Sequence, residues 1–105
     1  MLMTTTETIP GKNIQILGTV KGSVVHAKHI GRDIMAGLKT IVGGELRGYT
    51  ELLNEARTIA TDRMQEDARA LGADAIVCLR YNSASVMAGS CEIMAYGTAV
   101  KFGRE

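Results

Sequence analysis

The chain has no tryptophan, one phenylalanine and three tyrosines in 105 residues, so the aromatic platforms on which single-stranded nucleic acid stacks are scarce. Charge of one sign is also scarce. Twelve basic against 11 acidic residues leave a formal net charge of +1, with no basic tract to neutralise phosphates and no acidic tail. Two cysteines are too few for a disulfide framework. No segment approaches the ~18 apolar residues of a membrane span, and Met1 to Thr6 lacks the basic start and sustained apolar run of a signal peptide. Paired carboxylates, a Ser-His-Asp set and a two-cysteine metal motif are missing as well. The expectation is a cytoplasmic protein with no nucleic-acid or membrane partner. A single domain of this length buries roughly 60 to 70% of its unfolded surface, so a metal is not required for folding.

What is present is architecture. From Tyr49 to Leu71, Leu53, Ala56, Ala60, Met64, Ala68 and Leu71 recur three or four residues apart, which predicts one long helix with a single apolar stripe. Thr50 is a cap for its start, and Gly72 suits the left-handed residue after its end. Ala73 to Tyr81 then reads as a strand apolar on both faces, paired as a hairpin with a second strand from about Ser90 to Phe102. A turn at Ala88-Gly89 would place Tyr81 opposite Tyr96, Leu79 opposite Thr98, Val77 opposite Val100 and Ala75 opposite Phe102 on a core face. The other face would carry Cys78 opposite Ala99, Arg80 opposite Gly97 and Ala84 opposite Ile93.

Upstream, Thr8-Ile9-Pro10-Gly11 is a turn signal. Asn13 to about Lys28 alternates as a strand, with Gly18 and Gly22 marking a bend or close approach. Ile34, Leu38, Ile41 and Val42 predict a short helix ending at Gly43-Gly44. The fold class is therefore α+β, an antiparallel sheet with one long and one short helix in the order β-β-α-α-β-β. One long helix covers one side of such a sheet. Ile76, Cys78, Ala95 and Ala99 together make a poor solvent-facing surface, so that face is expected to bury against another copy in a closed, symmetric oligomer.

Four ordered strings, TTTETIPG at Thr4 to Gly11, GGELRGY at Gly43 to Tyr49, LGADAIVCLRY at Leu71 to Tyr81 and AYGTAVKF at Ala95 to Phe102, resemble the YbjQ-like family of small bacterial proteins over almost the whole chain. The resemblance implies an α+β subunit assembling into a homopentamer, a β/α-propeller-like ring with short extra strands aiding assembly. It also carries the family's heavy-metal-binding label, without a ligand motif that transfers residue by residue.

Three groups of residues could carry chemistry. His26 and His29 are metal-ligand candidates: three apart, they would share a helix face but would point to opposite faces of a continuing strand. Cys78 and Cys91 cannot join one ion within a chain, since the expected register puts Cys91 opposite Val86, roughly 26 Å along the strand from Cys78. Glu45, Arg47, Tyr49 and Arg57 lie around a glycine-rich entry to the long helix, a setting suited to a phosphate or carboxylate ligand, with Glu45, Tyr49 and Arg57 as the ligand candidates. These residues point to a homo-oligomeric, non-enzymatic protein binding a metal or a small anion. The alternative is an enzyme whose active site forms at the subunit interface, with Glu45, Tyr49 or Arg57 in acid-base or anion-holding roles.

Overall fold

The computed structural model describes residues 1–26, 41–42, 45–85 and 90–103, and places the side chains of 1–25, 50–85 and 90–103. Helix α1 spans Arg47–Ala70, starting earlier than the sequence suggests, so Thr50 lies inside its first turn and not at its cap. Its C-terminus ends as expected. Gly72 adopts φ 77°, its N–H donates to Arg69 O at 2.9 Å, and the Ala73 N–H reaches back to Ala68 O at 3.1 Å, the two bonds that close a Schellman cap.

Strands β1 (Leu2–Met3), β2 (Ile14–His26), β5 (Ala75–Ala84) and β6 (Cys91–Phe102) form one sheet in the order β1-β5-β6-β2. The sheet is mixed, not antiparallel, because β1 lies parallel to β5. It is an open layer with two edges, not a closed ring. Strands β3 (Ile41–Val42) and β4 (Glu45–Leu46) form a separate antiparallel pair. Ile41 and Val42 were expected to end a short helix and are strand instead. Both are β-branched and favour extended backbone, and a Gly-Gly dipeptide signals a hairpin as well as a helix stop. The rest of that expected helix lies outside the described residues, among which α1 is the one helix. The result is an α+β fold with a different element order from the one expected.

The helix packs on β2 and β6. Ala56, Ala60, Met64 and Ala68 are fully buried against Val20, Ile76, Ala95 and Ala99, each large side chain such as Met64 or Val20 contributing about 1.5–3 kcal/mol by its burial. The run of alanines has a geometric cause. A Cβ on Gly22 would collide with Ala60 O, Met64 N and Arg63 Cβ, so the helix backbone sits directly on the strand. Arg63 Nη1 donates to Ser23 O at 2.6 Å, and Lys21 N–H donates to Asp67 Oδ2 at 3.2 Å; these bonds occupy backbone groups of an edge strand that would otherwise be free to pair.

This overturns the expected role of the small-residue face. Ile76, Ala95 and Ala99 are not a subunit surface but the floor under the chain's own helix. The other face of the same strands is covered at one end by the N-terminal segment: Ala75, Val77 and Val100 are buried beneath Ile9, with Ile14, Cys78 and Phe102 beside them. Gly11, at φ 77°, completes the expected turn that folds this segment back, and Lys12 lies over the Phe102 ring at 5.0 Å.

The hairpin register also differs. Ala75 pairs with Val100 and Val77 with Thr98, whereas Arg80 pairs with Tyr96 and Tyr81 with Ala95; the register shifts between Val77 and Arg80. Two residues, Cys78 and Leu79, thus oppose Gly97 in a β-bulge. Cys78 takes φ 56°, a left-handed conformation that costs a non-glycine residue about 1–2 kcal/mol. A Cβ on Gly97 would lie 2.8 Å from Ile76 Cγ2 and 3.0 Å from Val77 O, so only glycine fits beneath the bulge. The displaced amides are satisfied by the N-terminal segment: Cys78 N–H donates to Thr6 O and Leu79 N–H to Thr4 O, both at 3.0 Å.

The strain makes a prediction that inverts the usual strand preference. Cys78→Gly should stay within about 1 kcal/mol of the parent, since relief of strain offsets lost packing, whereas Cys78→Val should cost about 2 kcal/mol or more because β-branched residues resist positive φ. Urea denaturation midpoints of the two variants check this; a more stable Val variant would contradict the bulge.

Candidate ligand-binding cavity

The bulge decides which way the outer half of β5 faces. After it, Tyr81 stands opposite Ala95 and turns toward α1, where its hydroxyl lies 2.8 Å from Thr61 Oγ1. Thr61 Oγ1 donates its hydrogen to Arg57 O at 2.7 Å, so the Tyr81 hydroxyl is the donor to Thr61. The phenol therefore ties the strand to the helix at the level of Arg57.

Beyond that tie the helix and the hairpin diverge around a cavity of about 320 Å³, lined by Leu53 and Arg57 from α1, Tyr81, Asn82 and Ser83 from β5, and Cys91 and Ile93 from β6. Ile93 is buried, and Leu53 and Cys91 are half-buried, giving the cavity an apolar floor. Arg57 is exposed at its mouth and donates to Asn54 Oδ1 at 2.7 Å. That bond uses one of five guanidinium hydrogens. No acidic side chain lines the cavity among the described residues, so the guanidinium faces it with most of its donors and its full charge available.

Of the three residues expected around an anion, Arg57 stands at the cavity. Glu45 lies in β4 and Tyr49 in the first turn of α1, four residues ahead of Leu53 and eight ahead of Arg57, but their side chains are not among those described. Sequence reasoning missed Tyr81, Asn82, Ser83 and Cys91. It put Tyr81 on the face of Ala75 and Val77, because nothing at Cys78-Leu79 announces a bulge. It put Cys91 opposite Val86 because the expected register was already one residue off beside the turn, where Ala84 pairs with Glu92 and not with Ile93.

The ladder of β2 and β6 places one of the metal candidates. Cys91 is the register partner of His26, and directly opposed positions of an antiparallel pair share a face. His29 lies outside the described residues. Among the described residues no three histidine, cysteine, aspartate or glutamate side chains converge, so a closed tetrahedral site, which needs four ligands, does not fit them. Both cysteines are free thiols. With Cys78 opposite Gly97 and Cys91 six residues further along β6, they are separated by roughly 20 Å.

A small α+β protein with a long helix laid on a mixed sheet, and a cation-bearing cavity lined by both, is the class this geometry defines. The chain belongs to the YbjQ family: its profile, described as "Putative heavy-metal-binding", matches residues 1–103. A UPF0145 protein of Vibrio campbellii is 63% identical over 102 residues, covering 96% of this chain and 98% of its own. One from Shewanella frigidimarina is 62% identical, covering 98% and 97%, and one from Thermotoga maritima 57% identical, covering 96% of each. A crystal structure from Pediococcus pentosaceus, described as a protein with unknown function of the DUF74 family, superposes over 98% of both chains with a TM-score of 0.62 at 19% identity, which shows a shared fold.

Proposed function

We propose that this single-domain chain is a non-enzymatic, homo-oligomeric binding protein of the cytoplasm, assembled from five copies, that holds a small anion in the cavity at Arg57. The observation that carries the reading is the juxtaposition of a guanidinium, unaccompanied by any acidic lining residue among those described, with apolar lining in a ligand-sized cavity. Glu45 and Tyr49, the other two residues expected from the sequence to hold the anion, lie in β4 and the first turn of α1, and the reading rests on Arg57 alone. Among the described residues no helix is long and apolar enough to cross a membrane.

Assembly is supported by the sheet rather than by the surface first expected. No described element covers the outer half of the face opposite α1, where Tyr96 is 39% and Val25 51% exposed, flanked by Met94. Ile16, also exposed, lies near the covered end. The Cα radius of gyration is 16.9 Å with extents of 57 × 27 × 16 Å, against about 13 Å for a compact 100-residue domain. An extended shape with one sheet face partly bare is what a subunit looks like without its neighbours. The anion reading is tested by replacing Arg57 with glutamine and measuring binding of small anions by calorimetry; equal binding by the variant would overturn it.

Metal is the weaker ligand in this account. His26 and Cys91 supply one nitrogen and one sulfur position in register, enough for a loosely held soft ion or for part of a site shared between copies. We expect metal-free protein to bind zinc or copper weakly, and His26→Ala combined with His29→Ala to leave the melting temperature unchanged, because a fold-organising ion would lose its contribution with its ligands. Tight stoichiometric binding in calorimetry that disappears in the double variant would contradict this.

A further inference from the structure

The lining of the Arg57 cavity narrows the anion to a chemical class. Arg57 is the one charged side chain among the described lining residues, and a lone guanidinium matches the charge and fork geometry of one carboxylate. A phosphate monoester brings close to two negative charges, and the described lining residues offer no second cation. The floor argues in the same direction: Ile93 is 3% exposed and lies with Leu53 at the base, where bare phosphate would leave apolar surface wet. Opposite the helix, the Ser83 hydroxyl adds a neutral donor, while the Tyr81 hydrogen is already committed to Thr61. A volume of about 320 Å³ stands at the lower end of ligand cavities, which run from roughly 300 to 1,000 Å³. It accommodates one ring or a short branched chain.

We infer that the cavity binds a small monocarboxylate with an apolar tail, an aryl or branched-alkyl acid, its carboxylate on Arg57 and its tail against Leu53 and Ile93. The inference rests on the reading of the cavity as an anion site and goes further in naming the class. The carboxylate contact dominates affinity and the floor selects the tail.

The test is calorimetric titration of the intact, assembled protein with phenylacetate, with its neutral isostere phenylacetamide and with inorganic phosphate. Phenylacetate is expected to bind saturably, phenylacetamide at least tenfold more weakly, and phosphate without saturation over the same range. Arg57→Gln should weaken phenylacetate at least tenfold and Arg57→Lys should restore part of it, since a lysine keeps the charge without the fork. Arg57 is exposed, so both variants should fold, and an unchanged circular dichroism spectrum verifies it. Phosphate binding as tightly as phenylacetate through Arg57 would preserve the anion site and overturn the monocarboxylate class. Equal binding of acid and amide would overturn both the class and the role of Arg57, as would a failure of every anion to bind.

Discussion

Ala99→Arg is expected to abolish the folded protomer, and not merely its assembly. Ala99 is fully buried on β6, in the cluster formed by Ala56, Ala60, Met64, Val20 and Ile76. The helix is held close there, since any Cβ on Gly22 would collide with its backbone. An arginine at this position must either carry an unpaired charge into the cluster or lift the helix away from the sheet. Each route costs more than about 4 kcal/mol, against a total stability of about 5–15 kcal/mol for a domain of this kind. Circular dichroism and urea denaturation should report a largely unfolded chain. A folded variant of reduced mass would mean that Ala99 faces another subunit after all and that α1 does not lie on this face.

Tyr96→Glu should do the reverse, leaving the protomer folded while breaking the assembly. Tyr96 stands between Lys21 on one side and Arg80 on the other, on the face that no described element covers. A carboxylate between two cations is well tolerated on an exposed surface, where such pairs are worth about 0–1 kcal/mol. At an interface the same substitution removes an aromatic anchor, and truncating an anchor of this kind costs about 2 kcal/mol or more. Repeated at every contact of a ring, this should move the protein to low-mass species at micromolar concentration with little change in its spectrum. Sedimentation velocity checks it. An unchanged sedimentation coefficient would remove this face from the assembly.

Much of the fold is written in local patterns, and the failures trace to two places. The stripe from Leu53 to Ala68 specified α1 and its buried face because helical periodicity is local and repeated. Gly72 marked its end because only a residue tolerant of positive φ closes a Schellman cap cheaply. The hairpin register failed in two steps. It was set one residue off beside the turn, where Ala84 pairs with Glu92 and not with Ile93. A further residue is taken up by a bulge carried by Cys78, which gives no warning of a left-handed conformation, and by Gly97, whose necessity appears only once Ile76 and Val77 are seen beneath it. That local shift in register misassigned Tyr81 and hid the cavity wall. The second failure was to infer an interface from small apolar residues. Small residues mean close backbone approach, and here the approaching backbone is the chain's own α1. Arg57 was singled out for its place near a glycine-rich helix entry, whereas its importance rests on the cavity beside it.

Native mass spectrometry of protein purified without chelator tests the central claim most directly, because one spectrum reports subunit number and retained ligand together. The account predicts an assembly of five times the 11.2 kDa chain mass, carrying no stoichiometric metal and gaining one acid per subunit when phenylacetate is added. A monomer at micromolar concentration, or a metal retained at one per subunit, would contradict it.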